Sequence, residues 1–175
     1  MCAQVPYAHE HPEVPDLLSA IKAIKPTGII GVSAQAGVFT REVVSEMARL
    51  NRKPVIFPLS NPTHLAECTA QQAYEWTNGT ALFASGSPFK EVLVNGTRFV
   101  PGQGNNAYIF PGVGLGVVVG GLKHVTDAMF LAAARCLSEQ VTPEDDAVGS
   151  LYPPLDKIRL VSAKIAAFVV EEGYR

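Results

Sequence analysis

The chain has 175 residues, of which 47% are apolar and 17% charged. That apolar share excludes a disordered chain, and the charged share is low against the usual value of about 25%, so part of the surface is expected to be covered by another domain or subunit. Sixteen acids against fourteen bases give a formal charge of −2, which leaves no basic excess for a nucleic-acid backbone.

Residues 1–15 carry three prolines and no hydrophobic period. They read as an extended lead-in without the basic and apolar regions of a signal peptide. Asp16 can cap a helix with Leu17, Leu18, Ile21 and Ile24 on its apolar face, ended by Pro26. Thr27–Ser33 is a short apolar run that reads as a buried strand. Thr40 starts a second helix on Val43, Val44, Met47, Ala48 and Leu50. Pro54–Ser60 reads as a second strand. Thr69 and Gln72 form a capping box for a short helix through Trp76, and Ala81–Ser85 is a third strand. Apolar strands alternating with helices imply an α/β fold, a partial doubly wound (Rossmann-like) parallel sheet covered on both faces.

After residue 90 the pattern changes. Asn95-Gly96, flanked by Glu91–Val94 and Thr97–Val100, is a hairpin signal. Residues 101–106 read as a polar turn, and Tyr108–Gly112 as an aromatic and apolar strand following it. The apolar stretch Ala107–Leu122 is interrupted by glycines and a proline and falls short of the roughly 20 residues of a membrane span, so it reads as core. Thr126 caps a helix on Met129, Phe130, Ala133 and Leu137. Thr142, Pro143 and Asp145 open another. The last helix begins near Asp156 and uses Ile158, Val161, Ile165, Phe168 and Val169. The division expected is a Rossmann-like half over about 16–90, then a hairpin and helical terminal segment over 91–175.

In doubly wound sheets ligands bind beyond the carboxyl ends of the strands. Three segments lie there: 33–37, Ser60-Asn-Pro-Thr63 and Ser85-Gly-Ser-Pro88. Asn61 offers amide donors and an acceptor, suited to a carboxylate or carboxamide. Gly86 can let a flat ring approach closely. Asn105 and Asn106 place two further amides beside flexible glycines. Residues 31–37 lack the GxGxxG fingerprint, though the following helix start favours an anion. His9-Glu10-His11 is not a zinc motif. His64 and His124 stand alone, and Glu144-Asp145-Asp146 reads as a solvated helix start. Cys2, Cys68 and Cys136 form neither a CxxC motif nor an even set, which argues against a disulfide framework and for a reducing, cytoplasmic setting. No nucleophilic triad is present.

Several blocks together resemble one family. Pro54-Val-Ile-Phe-Pro-Leu-Ser-Asn-Pro-Thr63, Ala66-Glu-Cys-Thr-Ala70, Leu82-Phe-Ala-Ser-Gly-Ser-Pro-Phe89, Pro101-Gly-Gln-Gly-Asn-Asn-Ala-Tyr-Ile-Phe-Pro-Gly112 and Leu151-Tyr-Pro-Pro-Leu155 look, in this order, like the carboxyl-terminal part of malic enzyme. The resemblance runs from about residue 6 to the end, and it also accounts for Pro6–His11. It implies oxidation and decarboxylation of L-malate to pyruvate and carbon dioxide with NAD or NADP. It implies a Mg or Mn ion whose ligands are not in this chain, and a homo-oligomer when complete. It places Asn61, Asn105 and Asn106 at malate, without ranking the last two. Ser60, Asn61, Gly86 and Ser87 fall near the nicotinamide end of the cofactor.

The family's acid–base pair of tyrosine and lysine, its substrate arginine, its metal-binding carboxylates and its first βαβ unit lie upstream of the matching region. The chain alone is therefore expected to lack activity and to need the missing amino-terminal part of the enzyme. The competing expectation is a non-catalytic nucleotide- or carboxylate-binding or interaction module derived from the same family.

Overall fold

The computed structural model describes residues 10–175; His9 and the residues before it lie outside the described part. Asp16 accepts from the Ser19 amide at 2.7 Å and opens α1 (Leu17–Ile24). Strand β1 (Gly28–Gly31) leads to α2 (Arg41–Leu50), capped by Thr40. Strand β2 (Val55–Pro58) leads to α3 (Ala70–Trp76), where the Thr69/Gln72 capping box is present. Strand β3 (Leu82–Ser85) is followed by the hairpin β4 (Val92–Val94) and β5 (Thr97–Phe99), turning on Asn95 and Gly96 with positive φ.

A fourth sheet strand, β6 (Gly102–Gln103), lies where the sequence reads as a polar turn. It is only two residues long and carries no apolar signal of its own; it exists because it pairs with β3, Ala84 against Gly102 and Ser85 against Gln103. The order β1-β2-β3-β6 is parallel throughout. All four carboxyl ends therefore open on one edge of the sheet, and this positions the site.

A second correction concerns residues 108–112. No strand forms there. A 3-10 turn (Asn106–Tyr108) runs into α4 (Phe110–Gly120), with Pro111 in its first turn. Glycine is a poor helix former, but close packing on α7 (Ile158–Gly173) requires it here. A Cβ on Gly112 would lie 2.7 Å from the Ile165 Cβ, and one on Gly116 would lie 2.9 Å from the Ala166 carbonyl oxygen. Between these helices come α5 (Asp127–Ser138), capped by Thr126, and α6 (Pro143–Ala147), opened by a Thr142/Asp145 capping box. A 3-10 turn (Leu155–Lys157) precedes α7, so the last helix starts slightly later than its sequence pattern suggests.

Two apolar clusters result. One gathers Ile21, Val44, Met47, Ile56, Tyr74 and Phe83 around the sheet and includes Val92 and Val94 of the hairpin. The other joins Tyr108, Val113, Met129, Ala133, Ile165 and Val169 of the helical segment. Leu17, Ile24, Phe130 and Phe168, expected on buried faces, are exposed. Among the described residues β1 pairs only with β2. Ile30 and Val32 beside that edge are 63% and 75% exposed, and Phe110 and Val118 on the outer face of α4 are 76% and 79% exposed. No helix among the described residues is long and apolar enough to cross a membrane.

Candidate functional site

The backbone ladder continues past each strand and ties the strand-end loops together. The Leu59 amide donates to the Gly31 carbonyl at 2.8 Å, the Gly86 amide to Pro58 at 3.1 Å, and the Gly104 amide to Ser85 at 2.8 Å. The three loops predicted to carry the site therefore sit side by side, and the turn after β6 joins them.

Asn61 follows β2, and its peptide bond to Pro62 is cis. Its Oδ1 accepts from the Ser87 hydroxyl at 2.6 Å. Its Nδ2 has only a long contact, 3.4 Å, to its neighbour's Leu59 carbonyl. The oxygen is engaged and the NH₂ is left to donate from an exposed side chain. Asn105 behaves in the same way: its Oδ1 accepts from the Ala107 amide at 2.8 Å and caps the turn that follows. Two amides on different loops thus have their oxygens engaged internally, while the Asn61 nitrogen has only the long Leu59 contact and the Asn105 nitrogen has no hydrogen bond among the described residues. Donors without formal charge suit a carboxylate or a carboxamide oxygen. The exposed side chain of Asn106 follows Asn105 in the chain.

A cavity of about 440 Å³ opens between the end of β6 and α5. Leu59, Asn105, Asn106, Leu137, Ser138 and Tyr152 are among its lining residues. Asn61 is not one of them, although Leu59, two residues before it, is. The chain therefore brings Asn105 and Asn106 into one concavity and sets Asn61 with Ser87 on the adjoining strand ends.

The other expected site residues are held from within. Ser60 is buried; its hydroxyl donates to Glu67 Oε1 and accepts from the Ala34 amide at 2.9 Å. Ser87 is buried and spends its hydroxyl on Asn61. A Cβ on Gly86 would lie 2.1 Å from the Leu59 carbonyl oxygen. Glycine there lets the ends of β2 and β3 close on each other. Gln103, at the end of β6, donates to the Gly86 carbonyl at 3.1 Å and braces the same corner.

Two participants are absent from the sequence expectations. Glu67 is fully buried behind Ser60; its only local signal is an acid within the run Leu65-Ala66-Glu67-Cys68. Tyr152 faces Tyr108 at a ring separation of 5.2 Å and lines the cavity. Tyr108 is not free to act as an acid: its hydroxyl donates to the Pro153 carbonyl at 2.5 Å, and burial, then the neighbouring Tyr152 and Asp145, push its phenol up to about 12. Burial likewise pushes the Tyr74 phenol to about 12. The Cys68 thiol rises to about 12 through burial and then the charge of Glu67, so it is not a reactive thiolate.

Among the described residues no three His, Cys, Asp or Glu side chains gather as a metal site. His9 of the His9-Glu10-His11 run lies outside the described residues.

Comparison with known proteins identifies the family. The profile of "Malic enzyme, NAD binding domain" matches residues 2–174. The NADP-dependent malic enzyme of Vitis vinifera is 56% identical over 169 residues, 97% of this chain and 29% of the relative. That of Anas platyrhynchos is 53% identical over 170 residues, 97% of this chain and 30% of the relative. The chloroplastic NADP-dependent malic enzyme of Oryza sativa subsp. japonica is 54% identical, again across 97% of this chain and 26% of the relative. The chain thus spans under a third of the length of these relatives. The crystal structure of malic enzyme from Pyrococcus horikoshii Ot3 superposes with a TM-score of 0.65 at 24% identity, covering 90% of this chain and 32% of that one, and supports the fold. The chain belongs to the malic enzyme family and matches its NAD-binding domain.

Proposed function

We propose that this chain supplies one wall of an active site that oxidises and decarboxylates L-malate to pyruvate with a nicotinamide cofactor. The observation that carries the reading is the pair of amide side chains, Asn61 after β2 and Asn105 after β6, each with its oxygen engaged within the chain and both at the carboxyl edge of the sheet on either side of β3. In it, Asn61 and Asn105 donate to malate carboxylate oxygens, and Asn106 completes the group. Their orientation is fixed before substrate arrives, so little ordering cost falls on binding. Gly86, Ser60 and Ser87 shape the corner beside the nicotinamide by holding Asn61 and the loop ends rather than by spending free hydrogen bonds on the cofactor. A nicotinamide cofactor held beside this corner would supply the hydride acceptor for oxidation of the substrate. The names of the relatives make NADP the first cofactor to supply, with NAD as the comparison.

In this reading the proton-transferring residues belong to the rest of the enzyme. Tyr74 and Tyr108 are buried and hard to ionise. The Mg or Mn ion that the resemblance implies would be held by residues of the rest of the enzyme. The exposed β1 edge and α4 face are the surfaces against which the remaining part of the enzyme packs, and a homo-oligomer is the assembly expected of the whole.

The test is a graft. Residues 6–174 replace the matching segment of the grapevine relative, and malate-dependent NADPH formation and pyruvate release are measured. Turnover by the graft supports the reading. A folded graft that binds NADP but forms no pyruvate contradicts it.

A further inference from the structure

Glu67 has no role yet in ligand binding, and among the described residues it is the buried acid at the base of the site. Its side chain is 0% exposed. Oε1 accepts from the Ser60 hydroxyl and from the Ser33 amide at 3.3 Å. Ser60 passes the link onward by accepting from the Ala34 amide at 2.9 Å. The backbone of the same segment holds the far end of that loop: the Gly37 amide donates to the Ala66 carbonyl at 3.2 Å, and the Phe39 amide to the Glu67 carbonyl at 3.0 Å. One residue and its neighbour thus fasten the loop after β1 at both ends and join it to the turn after β2 that carries Asn61.

The arrangement is costly for a purely structural device. Oε2 of Glu67 is buried with no hydrogen-bond partner, and an unsatisfied buried oxygen opposes folding. Room for the carboxyl group exists only because residue 31 is glycine: a Cβ there would lie 2.4 Å from the Glu67 Cδ. An apolar side chain of similar size would fill the space without the orphaned oxygen. Departures from local optimality of this kind are expected at functional sites.

We infer that Glu67 is a positioning residue: through Ser60 and the Ser33 and Ala34 amides it sets the placement of Asn61 and of the 33–39 loop at the ligand-facing edge of the sheet. The inference rests on the malate-site reading of Asn61, and its test separates the two. In the 175-residue chain, amide hydrogen exchange is followed for the parent, Glu67→Leu and Glu67→Gln. Leucine fills the space but accepts nothing; glutamine keeps an acceptor at Oε1.

Expected is exchange about tenfold faster at Ser33 and Ala34 in Glu67→Leu, as loss of a hydrogen bond implies, with core amides of β2 and β3 unchanged. Glu67→Gln is expected to restore most of the protection. In the grapevine graft, Glu67→Leu should raise the malate KM about fivefold with the NADP KM unchanged, and Glu67→Gln should bring it back.

Unchanged exchange at Ser33 and Ala34 overturns the inference. So does exchange that quickens equally throughout the sheet, or local quickening with unaltered malate kinetics. An inactive parent graft counts against the catalytic reading instead, and the exchange pattern then decides the clamp by itself.

Discussion

The Ser87 hydroxyl donates to the Asn61 carboxamide oxygen at 2.6 Å, joining the loop after β3 to the loop after β2. The contact decides which end of the amide faces outward. Ser87→Ala should leave Asn61 free to turn and present oxygen as often as nitrogen. In the graft, the malate KM should rise about fivefold, in line with a net hydrogen-bond contribution of ~1 kcal/mol. Steady-state kinetics at varied malate will check this, and a KM within experimental error of the parent would show that the orientation of Asn61 does not depend on Ser87.

The glycines at the strand ends are packing requirements. A Cβ at position 86 meets the Leu59 carbonyl oxygen at 2.1 Å, and one at position 31 meets the Glu67 carboxyl carbon at 2.4 Å. The first obstacle is backbone and cannot turn aside; the second is a side chain. Gly86→Ala should therefore destabilise more than Gly31→Ala, with overpacking losses of about 1–3 kcal/mol or more expected. Urea unfolding of the two variants will rank them, and an equal or reversed order would contradict the geometry.

Tyr74 and Tyr108 make opposite predictions. Tyr74 stacks on Phe99 at 4.3 Å, but its buried hydroxyl has no partner. Tyr74→Phe keeps the ring and removes the orphan, so stability should hold or improve. Tyr108 donates to the Pro153 carbonyl at 2.5 Å. Tyr108→Phe leaves that oxygen unpaired and should cost ~1–3 kcal/mol. Denaturation midpoints of the two variants should move apart; parallel losses would refute the contrast.

The same phenols predict an alkaline limit. Burial raises each from 10.0 to about 12 in the folded chain. The folded form holds on to protons that the unfolded form releases, so the stabilising contribution is complete below pH 10 and is lost as pH climbs through 12. Thermal midpoints should fall across that window, and Tyr74→Phe should flatten the fall. A flat profile for the parent from pH 10 to 12 would count against burial of these side chains.

Much of the sheet was legible because β1, β2 and β3 are apolar runs bounded by prolines and small residues. The capping signals at Asp16, Thr69, Thr126 and Thr142 located helix starts because each acts within its own turn. β6 escaped because its two residues are a strand only beside β3. α4 escaped because its glycines lower helix propensity locally, and the close packing of Gly112 on Ile165 and of Gly116 on Ala166 and Val169 shows only in the helix pair. Among the candidate site residues, Asn61, Asn105 and Asn106 stood out by amide chemistry next to turn residues. Glu67 did not: a buried acid acting on Ser33 and Ser60 leaves no periodic or spacing signal.

The central claim is that Asn61 and Asn105 present fixed donors to malate. Its most direct test is the malate dependence of NADPH formation by the graft carrying Asn61→Ala or Asn105→Ala. The account predicts a higher malate KM or a lower kcat for each, with the NADP KM little changed. Malate kinetics equal to those of the parent in both variants would contradict it.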